Sequence, residues 1–398
     1  MPSFRFPGPW QTLLLLLLLL GTPVAAFFIN AQFDEPLDSA TQQWLGWQLP
    51  AVATKDNGYL DLVALDANVP ERLAVAAAVQ ARFAEIASQP GGNHAKQYEA
   101  ALKTLNLKPR TLPLPEGLCG NKAPSCLPEL RQHAAMLASL REREKDALQR
   151  YQDMLLSPAY AELLPADVTA PIPRYTSALQ LNVLHSSQIS DAAEAGNFAG
   201  ALALWYAERQ FWLRAAHGSR TLINLMVTTA MLQRSNRLLG ELLAAHPQLK
   251  RADLTATRQS LENSRQLQHL LGQVTLGEFQ WFAYAIRHPD LDTLPDAERK
   301  KLDVALMSTL KPHATLNLGR QEYQQHLRTL GIPLPAGIAA GDLPEKPVCA
   351  DGGSILHFDN PAGKMLACMA PPDFSSYRDR LATIEKDSQT LLNRLQAQ

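Results

Sequence analysis

Over most of the chain, apolar positions recur at spacings of three and four, the period of a helix with one buried face. The centre shows this most clearly. Thr176 to Glu194 reads as one helix, and Ala195-Gly196-Asn197-Phe198 as a tight turn in which Gly196 and Asn197 can take left-handed backbone. Ala199 to Ala216 is the next helix, with Leu202, Trp205, Arg209 and Trp212 on one face. Gly218 breaks it, and Ser219 is placed to cap a third helix reaching about Ala245. Leu222, Leu225, Met226, Thr229, Leu232, Leu239 and Leu243 give that helix its core side, and Pro247 ends it. Further helices are predicted over Asp253 to Gly272, Leu276 to Arg287, and near Asp296 to Leu310.

The flanks are more broken. Tyr59 to Ala67 mixes apolar and acidic residues without clear alternation, which leaves helix and strand both open. Val69 to Ser88 is an alanine-rich helix with Asn68 as a cap candidate, and Pro90-Gly91-Gly92 stops it. A short helix follows over His94 to Leu105. Pro128 to Leu156 then reads as one long exposed helix with opposite charges three apart at Arg141/Glu144, Glu142/Lys145 and Arg143/Asp146. Towards the end, Ser354 to Phe358, a turn at Asp359 to Gly363, and Lys364 to Ala370 predict a small β-hairpin. A last helix carries Tyr377, Leu381, Ile384, Ser388, Leu391 and Leu395 as a seam of about three heptads, expected to pack on the protein's own body.

The fold class predicted is therefore mainly α: an irregular bundle of helical hairpins with a small C-terminal β-hairpin. Four stretches follow: 1–30, a signal peptide or membrane anchor; 31–172, helical with Pro-rich loops; 173–330, the central helices; and 331–398, the hairpin and last helix.

Leu13 to Leu20 is an unbroken leucine run, and its apolar character continues to Ile29 past Gly21, Thr22 and Pro23. Such a segment is an export signal. Val24-Ala25-Ala26 offers cleavage after Ala26, which would leave a secreted or soluble periplasmic protein. The uncleaved reading is preferred, because Phe27 and Phe28 extend the run to about 17 residues, the short end of a bilayer span. The body would then lie in the periplasm, attached to the inner membrane by one pass. Arg5 on the inner side agrees with the positive-inside rule.

The four cysteines fit that compartment. Cys119 and Cys126 flank a short loop, and Cys349 and Cys368 flank 18 residues, which reads as two local disulfides. Neither spacing is C-x2-C, which argues against a zinc or redox-active pair. Closing the longer loop is worth about 3 kcal/mol by loop entropy.

The 398 residues carry 37 basic and 38 acidic side chains, a formal charge of -1. So even a balance excludes a broad electrostatic grip on nucleic acid. With 46% apolar and 19% charged residues, the chain can build a sizeable core.

No catalytic motif stands out. The ten histidines form no H-E-x-x-H, no G-x-S-x-G elbow is present, and Gly363-Lys364 lacks the upstream glycines of a phosphate loop. In His217-Gly218-Ser219, the serine reads as a helix cap in preference to a nucleophile. The best acid candidates are Glu208, beside Trp205, Phe211 and Trp212, and Glu278, beside Phe279, Trp281 and Phe282. A carboxylic acid in an apolar pocket can have a raised pKa and protonate a glycan. The favoured reading is plainer: a surface carboxylate, or one paired with Arg209 or Arg214.

Two resemblances complete the reading. Ala193, Gly196, Asn197, Phe198, Ala201, Leu202 and Trp205 resemble one tetratricopeptide unit, but no second copy follows at a 34-residue period. Asn57 to Ala67, Thr221 to Met226, and Asn360 to Lys364 with Pro372 and the last helix together resemble a group of uncharacterised proteobacterial proteins with one N-terminal membrane segment. That resemblance implies a membrane-attached periplasmic helical protein and supplies no activity. The expected function is non-catalytic interaction or assembly in the envelope, with another envelope protein as partner, no cofactor and no nucleic acid. A cell-wall glycan hydrolase using a helical Glu is the alternative.

Overall fold

A computed structural model describes residues 10, 33–90, 93–120, 125–288, 309–344, 349, 360–369 and 371–396. Among them are fifteen α-helices and no strand, only an isolated parallel bridge between Asn57 and Ala159. The leader, Leu13 to Ile29, lies outside the described residues. Among those described, no helix is long and apolar enough to cross a membrane.

The centre folds largely as its periodicity predicts, although Met226, expected on the core side of its helix, is exposed. α8 (Tyr175–Glu194) and α9 (Phe198–His217) form a hairpin, and α10 (Leu222–Ala245) packs along α9. The hairpin turn needs Gly196, whose φ of +75° few side chains tolerate, and Asn197, whose side chain accepts from Gly200 N. Trp205, Phe211 and Trp212 fill the space between these helices and are all but fully buried. The cap of α10 is Thr221, not Ser219: Thr221 Oγ1 accepts from Asn224 N, while Ser219 Oγ donates to Ala215 O and accepts from Asn224 Nδ2. The preceding turn extends two residues further than the sequence suggests.

On the N-terminal side come α1 (Ser39–Gly46), α2 (Gly58–Val63), α3 (Arg72–Ala87) and α4 (Ala95–Lys103). Tyr59 and its neighbours are thus helical. The single helix expected from Pro128 to Leu156 is three: α5 (Leu127–Gln132), α6 (Ala134–Arg143) and α7 (Lys145–Leu155), with breaks at His133 and Glu144. At the second break Glu144 accepts from Arg110, and the turn follows the body where a straight rod would leave it.

On the C-terminal side, α11 (Thr255–Glu262) ends before a left-handed Gln266, and α12 (Leu270–Arg287) runs unbroken through Gly272 and Leu276. The predicted helix over Asp296 to Leu310 lies outside the described residues except for Thr309 and Leu310, which form no helix. α13 (Pro312–Thr329) has no counterpart in the sequence reading. α14 (Pro361–Met369) overturns the second strand of the predicted β-hairpin; Ser354 to Phe358 lie outside the described residues. Asn-Pro-Ala-Gly here is a helix start: Asn360 Oδ1 accepts from Gly363 N, and Pro361 occupies the first turn, where its missing N–H costs nothing. α15 (Ser375–Gln396) buries its Leu381, Ile384, Ser388, Leu391 and Leu395 seam and packs on α10 and α11.

Both expected cysteine pairs are joined, Cys119 to Cys126 and Cys349 to Cys368, with Cα separations of 4.5 and 5.5 Å.

Candidate functional site

The start of α10 gathers two carboxylates. A helix N-terminus exposes unpaired N–H groups and a positive dipole end, so acids settle there. Glu162 Oε2 accepts from Arg220 N (2.6 Å) and Thr221 N (2.9 Å), and its Oε1 from Thr221 Oγ1 (2.7 Å). Glu278, from α12, accepts from Leu222 N at 2.7 Å. The close approach of α12 requires Gly277, because a Cβ there would collide with the Arg220 carbonyl. Burial raises the pKa of both acids against these donors, that of Glu278 to about 7. The Arg220 guanidinium donates to Gln280 Oε1 and Leu164 O. Gln280 in turn donates to the carbonyls of Trp44 (3.0 Å) and Trp47 (2.7 Å), which tethers the chain leaving α1.

A second centre lies behind α12. Asp167 is fully buried and accepts from five donors: Tyr98 Oη (2.7 Å), Tyr284 Oη (2.8 Å), Thr169 N and Oγ1 (2.7 Å each), and His94 Nδ1 (3.0 Å). Burial alone would raise its pKa, but the donors outweigh that and hold it below the usual carboxylate value. The His94 and Asp167 pair has the geometry of a catalytic dyad's base and orienter. His94 Nε2, where a nucleophile would stand, is buried with no hydrogen-bond partner.

The third is the layer under α8 and α9. Glu208 Oε1 accepts from Asn182 Nδ2 at 2.6 Å, and Asn182 Oδ1 accepts from Arg234 Nη1 at 2.5 Å. His185 Nε2 stands 3.8 Å from Glu208 Oε2 and donates to Leu204 O. Desolvation pushes Glu208 up to about 7 and His185 down to about 4, so both lean towards their neutral forms. Arg209 turns the other way, donating to Asn236 Oδ1, Ser264 Oγ and Ser388 Oγ.

Two open clefts adjoin the first two centres. One, of about 600 Å³, is lined by Trp47, Ala87, Leu163, Arg220, Tyr284 and Arg287, among others. The other, of about 510 Å³, is lined by Tyr160, Gln210, Leu213, Arg214 and His217. Leu49, Pro50, Val52 and Ala161 line both, so the clefts adjoin across the extended segment 47–53.

Against this geometry the acid candidates fare differently from expectation. Glu208 is no surface residue; it is 1% exposed, lines neither cleft and has no ion pair with Arg209 or Arg214. Glu278 caps α10. Ser219 is buried, with its hydroxyl already bonded on both sides. Sequence reading missed Asp167, Glu162 and the segment 47–53. Their partners lie far along the chain, Tyr284 117 residues from Asp167 and Gln280 233 residues from Trp47, and no local spacing announces them. Among the described residues no group of His, Cys, Asp and Glu could hold a metal ion. No family model, curated protein or solved structure matches the chain.

Proposed function

We propose that this protein is a non-catalytic component of the cell envelope, held to the inner membrane by its Leu13 to Ile29 segment, with a periplasmic helical body that docks another envelope protein. The paired cysteines carry this reading: two disulfides are compatible with an oxidising periplasmic or secreted location. The non-catalytic part draws on the acids, since Glu162 and Glu278 are engaged at the α10 N-terminus and Glu208 is sealed from solvent. Crosslinking in intact cells, followed by affinity capture of the full-length chain, should recover the same envelope protein in replicate preparations. Recovery of none, or of cytoplasmic proteins alone, would overturn the proposal. The glycan-hydrolase alternative rests on the pKa near 7 of Glu278, which suits a general acid. Muropeptides released from purified peptidoglycan by the wild type, but not by Glu278→Gln, would establish it.

A further inference from the structure

The segment 47–53 is bound in an unusual way for chain on a protein surface. Among the described residues, no hydrogen bond involves the backbone of Gln48 to Val52. Gln48, Pro50 and Ala51 are exposed, while Trp47, Leu49 and Val52 are half-buried. Side chains therefore hold this strap to the body, with Gln280 fastening its start. A strap held by apolar contacts can shift to admit a guest without breaking a backbone ladder.

Beneath and beside it, both clefts fall in the size range of small-molecule sites and have mixed walls, apolar side chains alternating with polar groups. Their charge is one-sided. Arg214 lines one cleft, beside a His217 that burial holds towards its neutral form, and Arg220 and Arg287 line the other, beside His288. Among the described lining residues the only acid is Glu162, already bonded to the start of α10. Arg214 and Arg220 donate to backbone or side-chain oxygens of the protein. Arg287 differs: it is exposed, and no hydrogen bond or ion pair engages it among the described residues. Among the described residues, then, a cation without an anion stands at the edge of an open cleft whose walls include the small side chains of Ala84, Ala87, Ala161 and Ala283.

We infer that the two clefts form one groove for a single-chain anionic amphiphile, with its acyl chain along the strap and its headgroup at Arg287 and His288. The chemistry specified is a carboxylate or phosphate on an unbranched alkyl chain. An added peptide strand fits less well: Pro50 removes an N–H from the middle of the strap, where a ladder would need it. The inference goes beyond the envelope proposal and does not depend on a protein partner.

The test uses the full-length chain in membranes and three photoreactive sixteen-carbon probes: a fatty acid, a single-chain phosphate monoester and the neutral alcohol. Peptide mapping should find label in residues 44–54, 157–164, 213–218 and 280–288. Both anionic probes should exceed the alcohol at least about fivefold, and their ratio separates a free fatty acid from a lipid phosphate as the source. Competing fatty acids should gain about two- to fourfold in potency per methylene. Arg287→Gln should cut anionic labelling about tenfold and leave the alcohol unchanged. Ala84→Trp, at an exposed wall position, should block all three probes with an unaltered circular-dichroism spectrum. Label confined to the leader would overturn the inference, as would equal labelling by the alcohol. So would displacement by an extended acidic peptide but not by dodecanoate.

Discussion

Asp167 and Glu208 are both buried carboxylates, yet they sit on opposite sides of the ordinary value. Asp167 accepts five hydrogen bonds and stays ionised; Glu208 accepts one, from Asn182, and is pushed up to about 7. Desolvation is the largest influence at each. What differs is the supply of donors, which stabilise only the charged form. Burial alone therefore does not decide whether a carboxyl group is charged: desolvation and donors compete, and Glu162, with three donors, is still raised while Asp167, with five, is lowered. The Asp167 knot also joins three separate parts of the chain, His94 with Tyr98, Asp167 with Thr169, and Tyr284, while the Glu208 layer fills the inside of one hairpin.

The largest effect should come from cutting the knot. Asp167→Ala takes the acceptor from three buried donors, His94, Tyr98 and Tyr284, and from both half-buried donors of Thr169, and breaking a buried charged network costs roughly 3–5 kcal/mol. Urea unfolding at pH 7 should show a loss of that size, with an unchanged denaturant slope. The wild type adds a sign. A depressed carboxyl pKa contributes stability present above the unfolded value near 3.9 and lost as pH falls through the folded value. The Asp167→Ala penalty should therefore shrink in acid. A loss below about 1 kcal/mol at pH 7 would mean that the knot does not hold the fold.

Glu208 should behave in the reverse sense. Its raised pKa means that the folded state binds its proton more tightly than the unfolded chain between about pH 4.5 and 7. Its contribution is then fully present below the unfolded value and is lost as pH rises through about 7, a swing of about 3 kcal/mol. Glu208→Gln has no charge to bury. The variant should gain on the wild type by about 2–3 kcal/mol between pH 4.5 and 8, read from paired urea midpoints. His185, pushed down to about 4, titrates with the opposite sign in both proteins and cancels in the difference. A difference independent of pH would show that Glu208 stays ionised and that the contrast with Asp167 is false.

How far the sequence foretells this follows the range of the forces. The α8–α9 hairpin was legible because its signals are local: a helical period, a glycine at positive φ and a capping asparagine. The cysteine pairs were legible because each closes a short loop. The C-terminal β-hairpin was misread because Asn360-Pro361-Ala362-Gly363 can start a helix as well as turn a strand, and Asn360 also bonds Lys311 N and Thr315 Oγ1. Those partners lie 49 and 45 residues away, and tertiary contact settled the choice. Glu208 could be picked out by its aromatic neighbours, but whether it faced solvent depended on Asn182 and α8. Asp167 carried no mark at all, since Val168 and Thr169 beside it look like any loop.

The smallest effect tests whether donors around Asp167 share the task. Tyr98→Phe removes one hydroxyl and keeps the ring, which packs edge-on against Phe83 at 4.8 Å. Asp167 retains Tyr284, His94 and both Thr169 donors, so its charge should survive. One hydrogen bond to a charged group is worth about 1.5 kcal/mol, and relaxation of the remaining four donors should reduce the net loss to about 1 kcal/mol at pH 7. Loss of a donor also lifts the folded-state pKa of Asp167, so the acid limb of the stability curve should move to higher pH. Tyr284→Phe, made separately, should match it, because the two hydroxyls approach the same Oδ2 at 2.7 and 2.8 Å. A loss above about 3 kcal/mol for Tyr98→Phe alone would show Asp167 to depend on a single donor, as Glu208 depends on Asn182, and the two sites would then differ in burial geometry and not in the number of groups that hold the charge.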